Sequence, residues 1–228
     1  MVSWSGWYRD RHGSERVTID NDGQLLTLRI RGVEFAGEDF DGLEPVVVGA
    51  TPAGVPFDLS GGSLCSCVIE WDVPLPAVAA GVEVDGVLRC RLLLGSAAGP
   101  AGGLDAEELT VALHVGGSVY ANHRSYGYFE TALEDVHRQL PADSYVKACI
   151  SCAWADYSPG GQPLFGGLAC FRGVKDAYRS VRTKWDIFAI WSRRTAYVQE
   201  TYLCDEFDRR GVDAGYRGSF PGRATIVQ

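Results

Sequence analysis

The sequence predicts an α+β fold: a β-rich, sandwich-like N-terminal part (residues 1–120) packed with a C-terminal α+β part (residues 121–228) of two helices and a small antiparallel sheet. Three observations carry this. Apolar and polar residues alternate at Leu26-Thr-Leu28-Arg-Ile30, the period of a half-buried strand. Between residues 46 and 115 the apolar runs are short and bounded by Gly, Pro and Asp, as in all-β domains. Beyond residue 128 the spacing shifts to three and four, the period of a helix that buries one face. The composition, 46% hydrophobic and 22% charged, is that of a chain able to build a real core, in two parts or in one continuous domain.

In chain order, Val17-Thr-Ile19, the Asn21-Asp-Gly23 turn and Leu26–Ile30 read as a hairpin. Strands follow at 46–48, 64–71, 87–94 and 109–115, with Pro74-Leu-Pro76 and the Ala/Gly-rich 97–103 as loops. Phe129, Ala132, Leu133, Val136 and Leu140 line one side of a helix that Pro141 ends; Glu130, Glu134, His137 and Arg138 take its polar side. Tyr145–Trp154 alternates as a strand with Ile150, Cys152 and Trp154 on one face, and a loop spans 155–170. Val174, Ala177, Tyr178 and Val181 make the second helix, with Lys175, Arg179 and Arg182 outside. Asp186–Trp191 and Thr195–Leu203 then pair as a hairpin about Ser192-Arg-Arg194, its aromatics in the core. Trp4, Trp7 and Tyr8 suit a core or an interface equally.

Charge is divided unevenly. The net charge is −8, with −11 in residues 1–142 and +3 in residues 143–228. That balance opposes a general DNA- or RNA-coating role, although Lys175, Arg179, Arg182, Lys184, Arg193 and Arg194 among aromatics have a single-strand binder's texture. The first ten residues form neither a secretory signal nor a transit peptide, and no run approaches the ~20 apolar residues of a membrane helix. Seven cysteines, an odd number, point to free thiols in a reducing cytoplasm.

The most informative segment is 149–172, with two cysteines, two double glycines, an acid and a base. Cys149-x2-Cys152, Cys170 and Cys204 invite a four-thiolate zinc site. Residues three apart on a regular strand face opposite sides, however, so the reading preferred is buried thiols acting as small hydrophobes, with no cofactor. The loop Asp156-Tyr-Ser-Pro-Gly160-Gly161 to Gly166-Gly167 leads into a basic helix, making Asp156, Tyr157, Arg172 and Lys175 the polar groups placed to hold a ligand. Glu200 shares a strand face with Val198 and Tyr202; if that face is inward it requires a partner such as Arg172. No P-loop, catalytic or histidine metal motif is present.

Cys149-x2-Cys152, Asp156-Tyr-Ser-Pro, Cys170-Phe-Arg172, Gln199-Glu-Thr-Tyr-Leu-Cys204 and Gly215-Tyr-Arg-Gly218 together resemble an uncharacterised bacterial family, matched mainly in the C-terminal half. The resemblance implies that 149–172 and 198–207 form one site and names no activity. The expectation is a non-catalytic cytoplasmic protein-binding module, of the immunity or defence-associated kind, that covers a basic surface on another protein, with no nucleic acid or membrane as partner. Two alternatives stand beside it. One is a hydrolase-type enzyme on an anionic small molecule, with Asp156 and Glu200 as acid and base and Arg172 and Lys175 holding the substrate. The other is a binding module organised by zinc on the four thiolates of Cys149, Cys152, Cys170 and Cys204.

Overall fold

The structure is a computed structural model and describes residues 1–47, 56–99, 103–161, 163–211, 214–218 and 220–221. The expected strand at 46–48 and loop at 97–103 lie partly outside these residues. The predicted hairpin forms from β2 (Gly13–Asn21) and β3 (Leu26–Ile30), preceded by β1 (Val2–Asp10) and followed by β4 (Val33–Gly37) and β5 (Glu44–Pro45). A small hairpin, β6 (Leu59–Ser60) and β7 (Ser63–Leu64), leads to β8 (Cys67–Pro74), then to β9 (Ala77–Ala79) and β10 (Val82–Val84). β11 (Gly86–Leu94), β12 (Glu107–Val115) and β13 (Ser118–Ala121) complete the N-terminal part.

Nine of these strands form one antiparallel sheet in the order β13-β12-β11-β8-β1-β2-β3-β4-β5. The first strand therefore lies at its centre, bonded to β2 on one side and β8 on the other. Period-two patterning decides which side is buried: Trp4 and Tyr8 on β1, Ile69 and Trp71 on β8, Leu88 and Leu92 on β11 all point inward. The outer face carries Arg9, Glu70, Asp72, Arg89 and Arg91, tied into ion pairs across the strands.

The C-terminal part lies on the buried face. α1 (Phe129–Arg138) packs there through Phe129, Ala132, Leu133 and Val136, the residues its spacing predicts. β14 (Tyr145–Val146) joins β9 and β10 in a three-stranded sheet. β15 (Ala155–Asp156), β16 (Leu168–Cys170) and β17 (Ala196–Val198) form another, with α2 (Lys175–Arg179) and α3 (Lys184–Ile190) between the last two. One contiguous core runs through both parts, from Trp4 to Phe220. At its centre Phe165, from the glycine loop, lies 4.7 Å from the Phe129 ring, 5.4 Å from Phe40 and 6.0 Å from Trp4. Burying such a ring stabilises by roughly 1.5–3 kcal/mol before its aromatic geometry is considered.

The α+β class and the β-rich N-terminal part are as the sequence predicts; several C-terminal elements are not. The alternating run 145–154 is a strand only at Tyr145–Val146 and then closes into a 3₁₀ turn at Cys149–Ser151. In the turn the Ser151 hydroxyl donates its one proton to the Val146 carbonyl at 2.5 Å, with the Ala148 carbonyl 3.0 Å away, a local bond that competes with strand pairing. Within the expected loop 155–170, Ala155–Asp156 and Leu168–Cys170 pair as strands. Asp186–Trp191 is helix and 3₁₀ turn, adding a third helix. Of Thr195–Leu203 only Ala196–Val198 is strand. His137, expected at the surface, is buried at the end of α1 with its ring edge-on to Phe220, and burial drives its pKa down to about 4.

Candidate functional site

Asp156 is fully buried on β15 and anchors a distant segment. Its Oδ2 accepts from the Tyr178 hydroxyl (3.0 Å) and from the backbone N–H groups of Tyr216 (3.0 Å) and Arg217 (3.3 Å), while Arg210 and Arg217 approach at 3.5 and 3.7 Å. A buried carboxylate is tolerable only when so surrounded. Gly215 is what allows the close approach: its φ is +61°, and a Cβ there would collide with the Tyr178 hydroxyl and sit 2.6 Å from Asp156 Oδ2.

Tyr157 links this anchor to a second one. Its N–H donates to Asp156 Oδ1 at 3.0 Å and its hydroxyl to Glu200 Oε1 at 2.6 Å. Glu200 Oε2 accepts from the Gly166 N–H at 2.7 Å. Glu200 is buried although the strand ends at Val198, and Tyr157 and the glycine loop are its partners, where Arg172 was expected. Burial without a nearby cation pushes its pKa up to about 8. Asp39, unremarked in the sequence, holds the preceding residue: its two oxygens accept from Phe165 N–H at 3.1 and 3.0 Å. Burial, with Asp41 adding to it, lifts Asp39 to about 7. The glycine loop is thus pinned at consecutive amides by carboxyls from two distant parts of the chain.

Arg172 and Lys175 stand apart from these groups, at the half-buried start of α2. Lys175 Nζ is 2.9 Å from Glu206, Arg172 Nε 3.8 Å from the same residue, and Lys175 lies 5.1 Å from the centre of the Trp154 ring. The five expected ligand-binding residues therefore divide into a buried framework of Asp156, Tyr157 and Glu200 and a surface pair paired to Glu206.

The thiols lie close to that pair. Burial and one another's proximity raise Cys149, Cys152 and Cys170, and Arg172 lies against Cys204. Strand geometry does not separate Cys149 from Cys152 as expected, since the two sit on a tight turn, with the Cys152 N–H donating to the Cys149 carbonyl at 3.1 Å. Even so, among the described residues no three His, Cys, Asp or Glu side chains are grouped so as to hold a metal ion.

The most exposed aromatic feature is on α3. A capping box starts this helix: the Thr183 hydroxyl accepts from Asp186 N–H, and Asp186 Oδ2 accepts from Thr183 N–H at 2.9 Å. Ile187 turns to the core, leaving Trp185 69% and Phe188 44% exposed with ring centres 6.3 Å apart. Residues 179–194 hold five bases and one acid, Asp186, which serves the cap. The Thr183-Lys-Trp-Asp186 box and the Ile187/Ile190/Trp191 spacing were the available signals for this helix; the short apolar run obscured them.

A family model described as "Family of unknown function (DUF6304)" matches residues 2–155. The chain belongs to that family. The match covers the nine-stranded sheet, α1 and the start of β15, so the resemblance read in the C-terminal half is relocated: of its quoted residues only Cys149 and Cys152 fall within the DUF6304 region. Neither the curated proteins nor the solved structures include one that matches this DUF6304 chain. Among its described residues no helix is long and apolar enough to cross a membrane.

Proposed function

We propose that the protein is a non-catalytic protein-binding module that engages an acidic surface of its partner through α3, in place of the basic surface that the net charge alone suggests. The observation that carries this is the exposed Trp185–Phe188 pair on a segment of net charge +4 in a chain of net charge −8. Large aromatics ringed by arginine are the residues that dominate interface energetics, and a local charge of opposite sign to the partner raises the association rate. A non-catalytic reading is also favoured by the carboxyls: Asp156 and Glu200, the candidate acid and base, are both fully buried and engaged by hydrogen bonds that fix the fold.

The test is quantitative capture from native cell extract with immobilised wild type and the Trp185→Ala/Phe188→Ala variant, side by side at low and high salt. The expected result is a protein retained in stoichiometric amount by the wild type alone and released by salt. Identical retention by both would sink the proposal.

A further inference from the structure

We propose that the cavity between the β2–β3 turn, the Glu38–Gly42 turn and the glycine loop is a binding site for a small hydroxylated amine. The cavity measures about 570 Å³, a size suited to a small molecule. It goes beyond the protein-binding role and shares no residue with the exposed face of α3.

Its walls are of three chemical kinds. Glu38, Asp39 and Asp41 supply carboxyls, Trp191 and Tyr197 supply aromatic faces, and Gln199 supplies an amide. None of the described lining residues is a lysine or arginine; the nearby Arg194 lies over the Tyr197 ring, 4.3 Å from its centre.

Gln199 is the observation that points to a ligand. It is 1% exposed, and its Nε2 has no hydrogen-bond partner. Its orientation is fixed from outside: the Gly23 N–H donates to Asn21 Oδ1 at 2.7 Å, so Asn21 presents Nδ2 to Gln199, and Gln199 must answer with Oε1. That leaves Nε2 of this lining residue as the donor without a partner. A buried amide donor left without an acceptor is destabilising, and an incoming hydroxyl or carbonyl oxygen removes that deficit. The carboxyls ask for the opposite partner, a cation or an N–H donor, and the aromatic faces accept either a cation or the C–H face of a sugar-like ring. An amine bearing hydroxyls satisfies all three.

A concavity of about 550 Å³ on the outer face of the sheet has its carboxyls already paired. There Glu70 already faces Arg9 at 2.9 Å and Arg91 at 3.8 Å, and Asp72 faces Arg89 at 3.8 Å.

The experiment is a titration of the intact protein with glucosamine and with ethanolamine, read by calorimetry and by the side-chain amide resonances of Gln199, with glucose and gluconate as neutral and anionic comparisons. The expected result is saturable binding of at least one amine that moves the Gln199 resonances, with affinity for the amine at least about tenfold above that for glucose and no binding of gluconate. Asp41→Asn, close in shape, and Glu38→Gln, at an exposed position, should each weaken the amine by about tenfold or less and leave glucose unchanged. Trp185→Ala should leave the titration unaltered, which separates this site from the partner surface. No saturable response to either amine, equal binding of glucose, or full affinity in both carboxylate variants would overturn the proposal.

Discussion

At neutral pH the Glu200 carboxyl keeps its proton, and this has a measurable consequence. An acid whose pKa rises from 4.5 unfolded to about 8 folded holds a proton in the native state that the unfolded chain has released. Its contribution to stability therefore falls as pH rises from about 4.5 to about 8 and is level on either side. Glu200→Gln keeps both contacts with the Tyr157 bond reversed, since Gln can accept from Gly166 N–H and donate to the Tyr157 oxygen, and it carries no charge to desolvate. Thermal melts at about pH 5 and about pH 9 should show a smaller loss of Tm in this variant than in the wild type; equal slopes would refute the assignment. Glu200→Ala should instead destabilise by about 2–4 kcal/mol at any pH, because it strands two buried donors and opens a void. At the anchor, Gly215→Ala should cost about 1–3 kcal/mol, and hydrogen exchange at Tyr216 should accelerate as the segment leaves Asp156. The sequence offered burial of Glu200 only as a condition, on a strand that in the structure ends at Val198. It did not show Tyr157 as its partner, 43 residues away, or Asp39 at all, because such pairings depend on chain reversals that leave no local pattern.

The elements divide by how locally they are specified. β2, β3, β11, β12 and α1 were legible because one face of each meets the core over several residues, so periodicity accumulates. The short elements around the candidate site, β15, β16 and α3, hold two to seven residues each, too few for a period to separate strand from helix. On α3, Ile187→Ala should cost about 2–5 kcal/mol, whereas Trp185→Ala and Phe188→Ala should each stay within about 0.5 kcal/mol of wild type in chemical denaturation. A large destabilisation by either aromatic variant would make them core residues and remove the partner surface. For the thiols the expectation is that a strong chelator leaves the melting temperature unchanged, since no three ligands are grouped among the described residues. A drop on chelation would install zinc at Cys149, Cys152, Cys170 and Cys204.

For the molecule as a whole, the matched family region ends at residue 155, one residue short of Asp156 and ten short of the ring that fills its core. A fragment of residues 1–155 keeps every strand of the nine-stranded sheet yet loses Phe165, and with it the cover over Trp4, Phe40 and Phe129. The expected behaviour is loss of cooperative unfolding and binding of a hydrophobic dye, against a single transition for the full chain. The uneven charge was visible in the sequence, but that a basic helix would display two bare aromatics was not, because exposure is a property of what the rest of the chain leaves uncovered. Phe165 also bears on how the protein is made. Trp4 leaves the ribosome roughly 160 residues before its partner ring, an interval on the order of 10 s at bacterial or eukaryotic elongation rates. Through that interval the central strand's indole has no native lid, so the nascent chain presents a hydrophobic site that chaperones can hold until Phe165 emerges to close it.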